Sequence, residues 1–247
     1  MMKVLAINGS VTPPRQSTSR LLLDAFLDGA RAAGADIEDV NLAAKKILPC
    51  DCGHRFACWV ETPGRCIHAD GDDVADILAV FQSVDAVVFA TPLYVESMTG
   101  LLKTFLDRTL PLKQPYIELY RGECRHPLRA MKEGKKFALI AACGMYELSH
   151  LDNLAALFER LALNMHGDLV GRLLRPHAML LRDPQRAGAK YETVLAACRV
   201  AGSELVRQGR VSPGTEQAVA MPLCDRAAFI EGANRVWERA IAAREFT

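Results

Sequence analysis

Continuous apolar runs and one alternating run divide the chain into predicted strands. Residues 4–8, 86–90 and 137–142 contain almost no polar side chains, which is typical of strands buried on both faces of a sheet. Residues 37–42 alternate apolar and polar positions and therefore predict an edge strand that is exposed on one side. A last strand is predicted near residues 168–174.

Amphipathic helices are predicted between and after these strands. The predicted segments are residues 17–33, the residues that follow position 100, and residues 151–165, 185–210 and 225–245. Ser17 or Thr18 is suited to cap the amino end of the first helix. Strands that alternate with helices indicate an α/β protein with a parallel sheet.

Three loops are expected to open at the carboxyl ends of predicted strands. Gly9 follows the first strand, Pro92 ends the third, and Cys143 follows the fourth. Since proline has no amide proton and keeps the preceding residue extended, the sheet is expected to stop at Pro92. Open α/β sheets bind ligands where such loops meet, and a helix that starts after a Gly-Ser turn offers free amides to a phosphate.

Several of these segments resemble the flavodoxin-like NAD(P)H-dependent FMN reductases and iron–sulfur flavoproteins. TPLYVES and the helix after it are similar to the TPxY loop and lKxFxDR helix of those families, and the GS and ST pairs resemble their FMN-phosphate loop. CWVETPGRC and CGMYE are similar to segments of a subgroup of flavodoxin-like proteins. The resemblance implies an α/β, flavodoxin-like, doubly wound five-stranded parallel sheet in the order 2-1-3-4-5, with a C-terminal helical extension.

The resemblance also implies an FMN cofactor and its contacts. The first loop corresponds to the phosphate site, the loop with Tyr94 lines the ring, and the loop that begins at Cys143 closes over the pyrimidine edge. The implied cofactor-binding residues are Ser10, Arg15, Gln16, Ser17, Thr18, Pro92, Leu93, Tyr94, Ser97, Cys143 and Gly144. No catalytic residue is assigned because the cofactor carries the hydride chemistry. The Cys143 thiol is interpreted as packed, and His177 as a structural histidine.

One loop rich in glycine and proline carries four cysteines in the pattern C-x-C-x5-C-x7-C, namely Cys50, Cys52, Cys58 and Cys66. Four thiolates can hold an iron–sulfur cluster or a zinc ion, and His54 could replace one of them. The cluster motif of the resembling family separates its first three cysteines by two residues, unlike this loop. We therefore expect no metal and interpret the segment as a metal-free lid or a set of redox-active thiols, with a cluster or zinc as alternatives.

Charge and hydropathy restrict the partners and the location. Thirty basic and 29 acidic side chains create no field that favours nucleic acid or a membrane surface, so neither is expected as a partner. No apolar run approaches the roughly 20 residues of a membrane span, and no signal-peptide pattern follows Met1. A cytoplasmic location is therefore expected.

Two units are predicted along the chain. Residues 1–182 form a flavodoxin-like FMN-binding domain, and residues 183–247 form a helical extension that packs on the same domain or on a partner subunit. Apolar side chains of the last helix need a covering surface, which predicts a homodimer or homotetramer; they are Phe229, Val236, Trp237 and Ile241.

The predicted function is that of an FMN-dependent oxidoreductase. It transfers electrons from NAD(P)H to a small acceptor such as a quinone, a free flavin or a nitro or azo compound, or to another protein. The alternatives are a flavodoxin-type electron carrier, possibly with a cysteine-bound iron–sulfur cluster, and a binding or sensory module that keeps the fold without FMN.

Overall fold

The computed structural model describes residues 1–51, 55–132 and 134–244. Its strands are β1 (Lys3–Asn8), β2 (Asp36–Asn41), β3 (Ala86–Pro92), β4 (Glu118–Tyr120), β5 (Glu123–Arg125), β6 (Lys136–Ala142) and β7 (Asp168–Arg175). Strands β4 and β5 form a separate hairpin, and the other five form one parallel sheet in the spatial order β2-β1-β3-β6-β7. Numbered along the chain without the hairpin, this is the order 2-1-3-4-5, so the predicted sheet is confirmed.

Helices cover both faces of the sheet, as a doubly wound fold requires. They are α1 (Thr18–Ala32), α2 (Ala57–Val60), α3 (Val74–Ser83), α4 (Gly100–Asp107), α5 (Asp152–Asn164), α6 (Pro184–Ala187), α7 (Ala189–Gln208), α8 (Pro213–Ala220) and α9 (Arg226–Ala243). Helices α1, α7 and α8 pack on one face, and α3, α4 and α5 pack on the other. In the described ranges, none of these helices is both long and apolar enough to cross a bilayer.

The two faces of the sheet carry side chains of different size. Alternate residues of β1, β3 and β6 face α1 and α7, and several of them are alanines, such as Ala6, Ala90 and Ala138. The residues between them face α3, α4 and α5 and include Phe89 and Phe137. The small side chains let α1 and α7 lie close to the sheet, whereas the rings fill the wider layer on the other face.

Helices α1 and α7 touch backbone to backbone at two glycines. A Cβ atom added at Gly29 of α1 would lie 1.8 Å from the Arg199 carbonyl oxygen, and one added at Gly202 of α7 would lie 1.9 Å from the Phe26 carbonyl oxygen. Cys198 and other α7 residues belong to the same buried cluster as the sheet and α1. The hydrophobic core therefore continues across residue 182, where a domain boundary is predicted.

Three local features differ from the sequence-based expectations. Residues 109–134, where the sequence pattern predicted no strand, contain the β4–β5 hairpin, whose three-residue strands are too short for a periodic signal. The helix expected over residues 185–210 is split into α6 and α7 at Gly188, which has a φ of +57°. The link after α7 contains α8, which is capped by the Ser212 side chain and has proline in its first turn.

The helix crossing yields a stability prediction. We expect Gly29→Ala to lower the free energy of unfolding by about 1–3 kcal/mol or more, because the added methyl group must push the two backbones apart. The matched control is Gly232→Ala in α9, where an added Cβ meets nothing within 4 Å. That change should be neutral or stabilising by about 0.5–1 kcal/mol. Urea unfolding of both variants tests the difference, and equal stabilities would contradict the close crossing.

Candidate functional site

The loops after β1, β3 and β6 lie side by side at one edge of the sheet, here called the rim. Hydrogen bonds continue the sheet pattern past the strand ends: the Gly9 amide donates to the Ala90 carbonyl at 2.8 Å, and the Leu93 amide donates to the Ala142 carbonyl at 2.8 Å. The Cys143 amide donates to the carbonyl of the last β7 residue at 2.9 Å. The predicted meeting of these three loops is therefore observed.

Strand β3 ends at Pro92, as the sequence predicted, and its last residues pair only with β6. Backbone groups of a strand point alternately to its two neighbours, so the missing Pro92 amide lies on the side of β1, which has already ended at Asn8. On the other side, pairing with β6 extends one residue further to Leu93. The proline is tolerated because β1 is shorter than β6 at this edge.

Ser17 and Ser10 join the first loop to the start of α1. Ser17 is the N-cap residue, and its hydroxyl accepts a hydrogen bond from the Arg20 amide at 3.2 Å. The same hydroxyl donates to Ser10 Oγ at 2.9 Å, and Ser10 Oγ accepts from the Thr12 amide at 3.2 Å. Both serines are almost completely buried. Their hydroxyls therefore hold the loop in shape, and Ser17 is confirmed as the helix cap.

Thr18 and Arg15 carry polar groups that the loop itself does not use. In the described part of the chain, no hydrogen-bond partner contacts the Thr18 hydroxyl, the Arg15 guanidinium, or the backbone amides of Thr18 and Ser19. The Gln16 side chain is exposed beside them. Free amides at a helix start, one hydroxyl and one cation form a donor set that fits a phosphate group.

The second loop is a tight hairpin turn that presents Tyr94. The Tyr94 amide donates to the Ser97 carbonyl at 2.8 Å, and the Ser97 amide donates back at 3.1 Å. The two residues between them, Val95 and Glu96, have φ values of +46° and +60°. Tyr94 is 44% exposed and Val95 is 98% exposed, so the turn projects from the rim.

The base of this second loop is fixed by two threonines that sequence reasoning missed. The Thr99 hydroxyl donates to the Gly9 carbonyl at 2.6 Å and accepts from the Leu102 amide at the start of α4. Thr91 Oγ1 accepts from the Thr99 amide at 3.3 Å. Thr99 therefore links the first two loops, and its position as the cap of α4 is the local signal that could have identified it.

The third loop presents Gly144 but turns Cys143 inward. The Cys143 side chain is buried in the core, burial raises the pKa of its thiol, and its sulfur accepts a hydrogen bond from the Met145 amide at 3.2 Å. Its carbonyl accepts from the Ala178 amide. Gly144 is exposed, and a Cβ added there would meet only Met179 Sδ at 4.0 Å. The interpretation of Cys143 as a packed thiol agrees with this geometry.

A buried arginine and histidine hold the third loop from below. His177 Nε2 accepts hydrogen bonds from the Leu223 amide at 3.0 Å and from Arg175 Nη2 at 2.8 Å. Because Nε2 is an acceptor, the proton of the neutral ring lies on Nδ1, which faces the Tyr146 carbonyl. Burial and the Arg175 charge lower the pKa of His177 to about 4. The Tyr146 ring stacks on His177 with centroids 4.9 Å apart. His177 is therefore structural, as expected.

The cysteine segment is only partly described, because Cys52 and His54 lie outside the described residues. Cys58 is buried and Cys50 and Cys66 are half-buried. Within the described residues, no group of metal-ligating side chains is close enough to hold an ion. The expectation of no metal stays a prediction.

An enclosed ion pair anchors the carboxyl end of the cysteine segment. Arg108 Nη1 lies 2.5 Å from Asp72 Oδ2, and both side chains are buried. Although burial opposes it, hydrogen bonds from Arg108 and from the Leu48 amide lower the pKa of Asp72. Arg108 also donates to the Leu48 carbonyl at 2.6 Å, so both ends of the segment are tied to α4.

Two cavities of about 370 and 310 Å³ lie outside the rim. The larger borders the first half of β7, and the smaller lies between α3 and the segment around Cys66. Neither cavity is lined by a residue of the three loops.

Comparison with known proteins identifies the family. The model of the NADPH-dependent FMN reductase family matches residues 2–166, about two thirds of the chain. The chain belongs to this family. The match confirms the predicted family and supports FMN as the cofactor.

Relatives among curated proteins include iron–sulfur flavoproteins. One from Archaeoglobus fulgidus is 34% identical over 111 residues, which cover 44% of this chain and 46% of the relative. One from Methanocaldococcus jannaschii is 31% identical over 113 residues, which cover 45% of this chain and 54% of the relative. The chain spans about half the length of the curated relatives it matches.

Solved structures show the same fold at low sequence identity. An azoreductase from Bacillus anthracis superimposes with a TM-score of 0.59 at 17% identity, covering 84% of this chain and all of the other. An NAD(P)H:quinone oxidoreductase from Methanothermobacter marburgensis superimposes with a TM-score of 0.51 at 20% identity, covering 83% and 96%. The flavodoxin-like fold predicted from the sequence is confirmed.

The second loop yields a strain prediction. Val95 is β-branched and has a positive φ, a conformation that costs an L-residue roughly 1–2 kcal/mol and that asparagine tolerates better. We expect Val95→Asn to stabilise the fold by about 1 kcal/mol in urea unfolding, since the exposed valine has no packing to lose. The control is Val11→Asn, at an exposed valine without positive φ, which should change stability by less than about 0.5 kcal/mol. An unchanged or lower stability of Val95→Asn would contradict the strain.

Proposed function

We propose that this protein takes hydride from NAD(P)H and passes electrons to a small acceptor such as a quinone, a free flavin, or an azo or nitro compound, with FMN held at the rim. The observation that carries the proposal is the donor set at the start of α1, two free amides, the Thr18 hydroxyl and the Arg15 guanidinium, beside the loop that presents Tyr94. Membership of the NADPH-dependent FMN reductase family supports it. When bound, FMN supplies the hydride and electron-transfer chemistry.

The first loop binds the phosphate end in this proposal. Thr18 donates from its hydroxyl, the Thr18 and Ser19 amides donate from the helix start, and Arg15 adds a positive charge. Ser10 and Ser17 hold these groups in place through their mutual hydrogen bond. Gln16, exposed on the same loop, is a further donor.

The second and third loops hold the ring. Pro92, Leu93 and Ser97 form the half-buried base of the second loop, and Tyr94 packs against the ring system. The exposed Gly144 backbone lets the third loop approach the opposite ring edge, because no side chain stands in the way. Cys143 contributes through its position in the backbone, since its thiol is committed to the core.

The chain needs no acid–base pair in this proposal, because the bound FMN carries the hydride chemistry. The residues of the chain fix the cofactor and leave the exposed turn at Val95 and Glu96 beside the position where the acceptor enters. We assign no proton donor to the chain.

The proposed assembly into a homodimer or homotetramer is supported by the apolar side chains that α9 exposes, including Trp237 and Ile241. The cytoplasmic location stays a prediction.

Turnover tests the reaction. Protein saturated with FMN is mixed with NADPH or NADH and a panel of acceptors, and nicotinamide oxidation is followed by absorbance. We expect many turnovers per protein with at least one quinone, flavin, nitro or azo acceptor. Flavin that is bleached by dithionite but not by either nicotinamide would contradict the reductase and favour an electron carrier. Protein that takes up no FMN would favour the binding module.

Substitution of Thr18 tests the phosphate site. We expect Thr18→Ala to weaken FMN binding by at least roughly tenfold, because one charge-assisted hydrogen bond contributes about 1.5–3 kcal/mol. The fold should be unaffected, since the Thr18 hydroxyl has no partner in the described chain. Ser17→Ala should instead lower the free energy of unfolding by about 0.5–2 kcal/mol through the lost cap.

The matched control for Thr18 is Thr193→Ala in α7, which removes an exposed hydroxyl that donates to the Ala189 carbonyl at 3.2 Å. It should bind FMN as the unmodified chain does. Fluorescence titration with FMN measures both variants, and equal affinities for Thr18→Ala and Thr193→Ala would mean that the phosphate lies elsewhere.

A further inference from the structure

A second group of cationic side chains lies at the end of the sheet opposite the rim. His166 stands two residues before β7, Arg125 lies on β5, and Lys113 lies in the segment between α4 and the hairpin. The Tyr120 ring stacks on the His166 ring with centroids 4.0 Å apart. The hairpin therefore sits against the amino end of β7, where Glu118, the cross-strand partner of Arg125, lies 3.7 Å from His166 Nδ1.

Salt bridges fix the hairpin in this position. Arg121 lies 2.6 Å from Asp168 at the start of β7, and Arg160 of α5 lies 2.6 Å from Glu123 of β5. The Gln114 amide donates to the Pro127 carbonyl at 2.8 Å and extends the pairing of the hairpin toward Lys113. The cluster is thus built from three separate elements that are tied to one another.

The three cationic groups carry more hydrogen-bond donors than the surrounding protein acceptors satisfy. The buried side-chain nitrogens without a hydrogen-bond partner in the described ranges are Arg108 Nε, Arg125 Nε and His166 Nε2. Lys113 is only 5% exposed, and no acceptor contacts its ammonium group within the described chain. Buried donors without acceptors are rare because each costs the free energy of its lost hydration.

The nearby carboxylates do not accept hydrogen bonds from these unpartnered donors. Glu123 bonds Arg125 and Arg160 through its two oxygens, and Glu118 approaches His166 Nδ1 only to 3.7 Å. Arg125 and Arg160 therefore share the single carboxylate of Glu123. Neither glutamate contacts Arg125 Nε, His166 Nε2 or Lys113.

The pKa values of Lys113 and His166 are shifted by burial and by the neighbouring positive charges. Burial and the charge of Arg125 lower the pKa of Lys113 to about 8. Burial lowers the pKa of His166, and the charges of Lys113 and Arg125 act in the same direction. The Glu118 charge and a hydrogen bond with the His126 backbone oppose this shift. A negative charge placed among these groups would reverse both shifts.

We propose that Lys113, Arg125 and His166 form a binding site for one small oxyanion, such as inorganic phosphate or sulfate, at the end of the sheet opposite the flavin rim. The ammonium group, Arg125 Nε and protonated His166 Nε2 donate to the anion oxygens. The site joins the segment after α4, the hairpin and the amino end of β7, so the bound anion stabilises the hairpin against the sheet. It is independent of FMN binding.

The ring nitrogens of His166 report on the site. Protein saturated with FMN, so that the rim is occupied, is titrated with inorganic phosphate or sulfate at constant ionic strength, and the His166 ring signals are followed by NMR over a range of pH. We expect both anions to raise the pKa of His166 and chloride to leave it unchanged. The effect should weaken as the pH rises through about 8, where Lys113 loses its proton. An unchanged His166 pKa would overturn the proposal.

Two variants separate the anion site from general changes in charge. Lys113→Met should weaken phosphate binding roughly tenfold or more through the loss of a charge-assisted partner. Lys132→Met removes an exposed lysine that lies 2.5 Å from Asp85 and should keep the full response. Should Lys113→Met fail to fold, Lys113→Gln serves in its place. The same phosphate response in the Lys113 and Lys132 variants would overturn the site.

Discussion

The hydrogen bonds that continue the parallel ladder beyond the strand ends are the interaction on which the candidate site depends. They join Gly9 to Ala90, Leu93 to Ala142 and Cys143 to Arg175 at 2.8, 2.8 and 2.9 Å. Because backbone groups make these contacts, the loops leave the sheet in fixed positions whatever side chains they carry. The phosphate-type donors, the exposed tyrosine and the open glycine therefore share one edge.

The close packing of α1 and α7 supports the same arrangement from one face. The start of α1 supplies the free amides of the first loop, and the separation of α1 from α7 is set by the contact of Gly29 and Gly202 with the opposing backbones. Alanines on the facing side of the strands let both helices lie close to the sheet. A helix that carries a binding group is thus held by small residues far from the group itself.

Three residues of the rim and its support have an unfavourable backbone conformation. Val95 and Glu96 have positive φ in the second loop, and His177 has a φ of +38° beneath the third. Arg175 is fully buried and donates to the Pro176 and Val219 carbonyls and to His177, and burial lowers its pKa to about 10. Such features persist only where surrounding contacts fix them, and they are common at binding sites.

Local sequence predicted the five strands of the main sheet and the cap of α1, because continuous apolar runs, one alternating run and Ser17 depend on residues that are neighbours along the chain. The strand order was implied by the family resemblance and is confirmed by the sheet. Only the tertiary structure decided that Ser17 caps α1 while the Thr18 hydroxyl stays free within the described residues, and only it formed the group of cationic side chains around Lys113. These depend on hydrogen bonds and burial between segments that are distant along the chain, and the pattern of apolar and polar residues records no such partners.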